Sequence, residues 1–152
     1  MKLEIAATGL PPVAGDNSRR PLPVTTTETR VGGEPHLEAF FVQPDRTAAN
    51  APALLLCHGF PSKQRPGIPS RSYEQFAERL AEEQGWLVLA VSLRGCGQSE
   101  GQFSMEGWLN DVRRSVAHLR NEGSRRIWLV GSTTGGSLAI MAAAQDPEIR
   151  GI

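Results

Sequence analysis

The chain has 152 residues, 39% hydrophobic and 21% charged, and its 16 Lys plus Arg balance 16 Asp plus Glu to a formal charge of zero. A chain of this length makes one domain that buries roughly 68–70% of its unfolded surface; its balanced charge, with no basic cluster, speaks against nucleic acid or an anionic membrane as partner. The longest apolar run, Leu138 to Ala144, falls far short of the ~18–20 residues that span a bilayer.

Glu4 interrupts what would be the apolar region of a signal peptide, and two cysteines do not make a disulfide framework. A cytoplasmic protein is the expectation. Residues 1–23 hold Pro11, Pro12, Pro21 and Pro23. Prolines at that density remove backbone donors and restrict their neighbours, so an irregular lead-in is expected, followed by a domain over 24–152.

Val24 to Val31 alternates and is Thr-rich, Gly32-Gly33 signals a turn, and Leu37 to Val42 is apolar again. This pattern predicts an antiparallel hairpin at a sheet edge. Continuous apolar runs follow at Ala53 to Cys57, Trp86 to Val91 and Ile127 to Val130. Strands apolar on both faces belong to a parallel sheet covered on each side by helices.

Helical spacing fills the intervals. Tyr73, Phe76, Ala77, Leu80 and Ala81 form one stripe, with Gly85 as C-terminal cap. Trp108, Leu109, Val112, Val116 and Leu119 form the next, ended by Gly123, and Leu138 to Ala144 forms the last, stopping near Asp146-Pro147. Hairpin, strand, helix, strand, helix, strand, helix is the order of an α/β layered fold.

Ligands of open α/β sheets bind beyond the carboxyl ends of the strands. The segments at those ends are His58-Gly59-Phe60-Pro61, Arg94 to Gly101, and Gly131-Ser132-Thr133-Thr134-Gly135-Gly136. In the last of these Gly131 and Gly135 flank Thr133 at minus two and plus two, between a buried strand and a helix. A turn that sharp requires neighbours without a Cβ, and its apex residue stands above the sheet beside the free N–H donors of a helix N-terminus. A phosphate loop fits less well, because Ser137-Leu138 stands where Lys-Ser/Thr is required. Ser137 falls inside the helix as a small packing residue, and Ser132 lacks the glycine at minus two. Cys57 reads as a buried thiol and Cys96 as a loop thiol. The His, Cys, Asp and Glu spacing shows no metal site.

Leu54 to Pro61, Arg94 to Gly101 and Val130 to Gly136 together resemble the α/β-hydrolase superfamily, more narrowly its bacterial dienelactone-hydrolase-like and serine-aminopeptidase-like members. The resemblance runs from about residue 30 to the C-terminus. It implies the N-terminal part of an α/β-hydrolase fold: an edge hairpin followed by parallel β-α-β-α-β-α units. It also implies a nucleophile position at Thr133, an oxyanion hole from the amides of Phe60 and Thr134, and support from His58, Gly59, Gly131, Gly135 and Gly136. The substrate class it implies is a small-molecule ester or amide, with no cofactor and no metal.

Two departures shape the expectation. Threonine stands where the family places serine, cysteine or aspartate, and the family's acid and histidine follow later strands. Of the three histidines, His36 falls in the hairpin, His58 in the oxyanion loop and His118 on the middle helix. None matches the family's base position. The chain is therefore expected to be the N-terminal part of a longer fold, as a fragment, a truncated product or one half of an assembly. The strand at Ile127 to Val130 would then be a bare apolar edge open to association. Two functions follow: an acyl-hydrolase lineage with weak or absent activity in this chain, or a non-catalytic module that binds a ligand or partner in the same crevice.

Overall fold

The computed structural model describes residues 20–61 and 69–152. Six strands form one sheet: β1 (Val24–Val31), β2 (Leu37–Pro44), β3 (Pro52–Cys57), β4 (Leu87–Val91), β5 (Arg126–Gly131) and β6 (Ile149–Gly151). Their order is β1-β2-β4-β3-β5-β6. The first two pairings are antiparallel, and β4, β3, β5 and β6 run parallel. The edge hairpin and the three parallel strands read from the sequence are all present. Of the proline-rich lead-in, residues 20–23 have no regular structure, and the remainder lies outside the described residues.

Three helices connect the strands: α1 (Glu74–Gln84), preceded by a 3-10 turn at Pro69–Tyr73, α2 (Met105–Asn121) and α3 (Thr134–Gln145). Gly85 ends α1 at φ 71°, with its N–H on the Ala81 carbonyl, a left-handed cap that glycine adopts without Cβ strain. Ser104 opens α2, its hydroxyl accepting from the Gly107 N–H at 3.0 Å. The α2 stripe of Trp108, Leu109, Val112, Val116 and Leu119 is fully buried, each such side chain contributing roughly 1.5–3 kcal/mol. In α1 the stripe holds less well: Ala77 and Ala81 are buried but Phe76 faces solvent.

Residues alternate across the sheet into two cores. One unites Leu55, Leu89 and Leu129 with the apolar faces of α2 and α3; the other unites Leu54, Val88 and Trp128 with α1. Strands β3 and β4 are buried on both faces, as a parallel sheet between helix layers requires.

The expected bare edge at Ile127 to Val130 needs correction. Strand β6 pairs with the start of β5, through Ile127↔Ile149 and Trp128↔Gly151, with a register irregularity between them. The sequence pattern missed β6 because it is three residues long. Beyond Trp128 that side of β5 has no partner among the described residues, and Val130 is exposed.

A buried ion pair ties α2 to the loop after β4. Asp111 is fully buried, and Arg94 reaches it with Nη2 at 2.7 Å, Nε at 3.0 Å and its own backbone N–H at 2.9 Å. Arg114, one turn along α2, donates through Nη2 to the carbonyls of Gly32 and Pro35, holding the hairpin turn against the helix. No helix among the described residues is long and apolar enough to cross a membrane.

Candidate active site

In the parallel register Cys57 lies opposite Gly131, so the segments leaving β3 and β5 run side by side. The Ser132 N–H donates to the Cys57 carbonyl at 3.2 Å, fastening the second segment to the first. The chain then reverses at Thr133, which has φ 50° and ψ −120°. This conformation is sparsely populated by any residue with a side chain and least suited to a β-branched one. After the apex the helix starts at once, with Gly136 and Ser137 N–H groups on the Thr133 carbonyl.

The two flanking glycines are demanded by close approach. A Cβ on Gly131 would overlap the carbonyl of Gly135, and a Cβ on Gly135 would overlap the carbonyl oxygens of Cys57 and His58. A Cβ on Gly59 would overlap the Thr133 hydroxyl and come within 2.9 Å of the Ser132 carbonyl oxygen. The Thr133 Oγ1 therefore lies directly over Gly59, the residue before Phe60. Although Thr133 is the N-cap of α3, its side chain makes no capping hydrogen bond. The amides of Phe60 and Thr134 donate to no acceptor among the described residues.

His58 is engaged on both ring nitrogens. Nε2 accepts the Leu93 N–H at 2.8 Å, which leaves Nδ1 to donate to the Gly59 carbonyl at 2.6 Å. The ring thus joins the ends of β3 and β4 and is not placed as a base. Burial, the dominant cause, pushes its pKa below the usual histidine value, partly offset by the Gly59 carbonyl. A folded-state pKa depressed for a base means that the unfolded chain binds the extra proton. Stability is therefore expected to fall as pH drops through about 6.5 toward the folded-state value. Urea midpoints at pH 7.5 and 5.5 check this, and equal midpoints would contradict the neutral buried ring. Asp146, lowered chiefly by a hydrogen bond from Arg120, loses its contribution only below the ordinary carboxylate range, so the two effects separate.

The other histidines stand elsewhere. His118 packs edge-on against Phe41 at 6.3 Å; Phe41 lies on β2, three strands from β5, roughly 14 Å away at the usual strand spacing. His36 sits by the hairpin turn, where the fold gathers it with Glu34 and Glu100 within 4.8 Å. Sequence spacing conceals that grouping, but its side chains are solvent-accessible and Glu100 already accepts the His36 N–H. Both cysteines are free and buried. Burial pushes the Cys57 thiol up to about 12 and raises that of Cys96 as well, the opposite of an activated thiolate.

Two neighbours of the site were not visible in the sequence pattern. Tyr73, read as a helix-stripe residue, brings its hydroxyl 3.2 Å from Ser132 Oγ. On the other side Phe60, Phe103 and Trp108 form a ring cluster with centroids 4.8–5.0 Å apart. Only the spacing of aromatics after successive strand ends hinted at this.

A sharp glycine-flanked turn with a positive-φ apex at the end of a central parallel strand, beside a His-Gly loop, points to a class of fold, and comparison with known proteins agrees. The serine aminopeptidase S33 family matches residues 48–152. The chain belongs to that family, within the α/β-hydrolase superfamily. It is 32% identical over 109 residues to the thiohydrolase aneE of Aspergillus aculeatus, across 67% of this chain and 32% of that protein. It is 28% identical over 96 residues to a proline iminopeptidase of Lactobacillus helveticus, across 59% of this chain and 30% of that one. An esterase of Pyrococcus furiosus superposes with a TM-score of 0.66 at 20% identity, over 84% of this chain and 48% of the esterase. The chain thus spans about a third of the length of those curated relatives and about half of the solved esterase.

Proposed function

We propose that the chain carries the nucleophile and oxyanion elements of an acyl-hydrolase site acting on a small-molecule ester or amide. The observation that carries this reading is the backbone at Thr133, whose φ of 50° sets the hydroxyl over Gly59, between the chain positions of two amides that have no acceptor among the described residues. Thr133 Oγ1 attacks the substrate carbonyl carbon as its proton passes to water, and the resulting oxyanion accepts hydrogen bonds from the Phe60 and Thr134 N–H groups. The C–O or C–N bond to the leaving group then breaks, the alcohol or amine departs with a proton, and a second water hydrolyses the threonyl ester to release the acid. Donors fixed in advance toward a developing charge are the largest contribution such sites make, about 10²–10³ in rate for a single donor. The α3 N-terminus adds a positive dipole end.

The proton of Thr133 needs an acceptor, and none of the three histidines is placed to be it. A base missing from a site of this kind costs typically 10²–10⁴-fold, and the secondary hydroxyl is a hindered attacker. Turnover by this chain alone is therefore weak. The same observation favours a second reading, a binding module that uses the crevice without chemistry; association through the open side of β5 and β6 belongs with that reading.

A fluorophosphonate probe separates the two. Under the first, Thr133 is labelled and Thr133→Ala abolishes the adduct. Thr133→Ser, which removes the β-branch from a strained position, is expected to label about tenfold faster, equivalent to relief of about 1.4 kcal/mol. Labelling that persists in Thr133→Ala, or none in wild type and Thr133→Ser alike, would leave the binding module.

A further inference from the structure

Phe60 and Phe103 are 57% and 49% exposed, although each packs against Trp108, Phe60 tilted and Phe103 edge-on, and Trp108 is 1% exposed. Large apolar groups exposed together beside a polar rim mark a binding surface more often than an accident of packing. Their position is specific. Phe60 follows Gly59 in the loop after β3, and Phe103 closes the loop after β4, so both residues belong to loops at the end of the sheet from which Thr133 also projects.

Trp108, against which both rings pack, is anchored. The Trp108 Nε1–H donates to the Arg94 carbonyl at 2.9 Å, and Arg94 is in turn fixed by buried Asp111. His58 meets the other edge of Trp108 at 5.6 Å. The Phe60 and Phe103 rings are inclined at 61° to each other with centroids 5.0 Å apart, a geometry in which a third ring completes further edge-to-face contacts. Across the elbow the surroundings are polar, with Tyr73 and Ser132 hydrogen-bonded to each other.

We propose that Phe60 and Phe103 form the binding wall for an aromatic acyl group, making aryl-substituted esters or amides the substrate class. This rests on the acyl-hydrolase reading for its chemistry, but the wall itself requires only binding. The Phe60 amide is directed at the acyl carbonyl oxygen, so the side chain of the same residue is positioned to border the acyl substituent. Because Trp108, against which both rings pack, is held before binding, part of the ordering cost of the contact is already met.

The test measures binding and selectivity separately. Phenylacetamide, which presents the aryl acyl group without a reactive ester, should bind wild-type protein saturably, followed by tryptophan fluorescence. Phe103→Ala should weaken that binding about threefold to tenfold, the range of one lost aromatic pairing. Phe103→Leu should fall between the two, and Ile140→Ala on the outer face of α3 should match wild type. With p-nitrophenyl esters, the ratio of phenylacetyl to acetyl hydrolysis should drop by a similar factor in Phe103→Ala. Equal phenylacetamide affinity in wild type and Phe103→Ala, or no saturable binding in wild type, overturns the proposal. An unchanged ester ratio with measurable hydrolysis overturns it too, while sparing the acyl-hydrolase reading. Binding lost in Phe103→Ala with no hydrolysis of either ester supports the wall and removes the chemistry.

Discussion

Replacing Gly135 by alanine is expected to cost the fold more than about 3 kcal/mol, beyond the usual range for overpacking. The added methyl would overlap two backbone carbonyl oxygens, those of Cys57 and His58, and neither can turn aside as a side chain would. Relief requires β5 and α3 to move away from β3, which opens the parallel pairing at Cys57↔Gly131. At roughly 2–4 °C per kcal/mol for a domain of this size, the melting temperature should fall by about 10 °C. Gly136 supplies the control, since a Cβ there meets only the Gly131 carbonyl, its oxygen at 3.1 Å and its carbon at 3.6 Å. Gly136→Ala should stay within about 1 kcal/mol of wild type, the small helix-propensity gain offsetting the tight contact. Thermal melts followed by circular dichroism make the comparison, and equal melting points for the two variants would contradict the turn geometry.

Asp111→Ala is expected to destabilise by about 3–5 kcal/mol, the usual cost of removing one partner from a buried ion pair. Asp111 is fully buried and the Arg94 side chain only 17% exposed, so solvent screening offers little compensation. The substitution strands the Arg94 guanidinium and its backbone N–H together, and it removes the carboxylate 3.5 Å from the Arg114 Nη1, which has no hydrogen-bond partner. The Arg94 pKa, raised mainly by the hydrogen bond that its guanidinium donates to Asp111, reports the same contact. Replacing both partners, as Asp111→Leu with Arg94→Leu, should recover part of the loss because no orphaned charge remains. A double variant no more stable than Asp111→Ala would argue against the pair as the source.

The sequence made the layered architecture plain where one physical signal dominated. Leu54, Leu55 and Leu56 are apolar on both faces because helices cover both sides of β3, and the Trp108 to Leu119 stripe repeats at helical spacing because one face of α2 is buried. The spacing of Gly131 and Gly135 around Thr133 is legible for a similar reason, since steric demand within five residues is a local matter. What could not be read depended on residues far apart in the chain. Asp111 looks like a surface acid on a polar helix face until Arg94 and Arg114 are brought against it. The resemblance already gave His58 a supporting role, but the contact that holds its ring, the Leu93 N–H on another strand end, is one the His-Gly motif does not show. Strand β6 was missed because three residues carry no periodicity, and Phe76 was assigned to the α1 core though the helix turns it to solvent.

The central position of β3 carries a consequence for the order of assembly. Leu55 pairs with Leu89 on one side and Leu129 on the other, and the second partner lies more than twice as far along the chain. Each doubling of a closing loop costs about 0.6 kcal/mol of entropy, and distant pairings slow folding. The β3-α1-β4 unit is therefore expected to condense first, with β5 recruited to a preformed edge. The Thr133 bend, which exists only once β5 has docked, is among the last features to take shape, and chain synthesis places the groove that receives it before the residue that fills it.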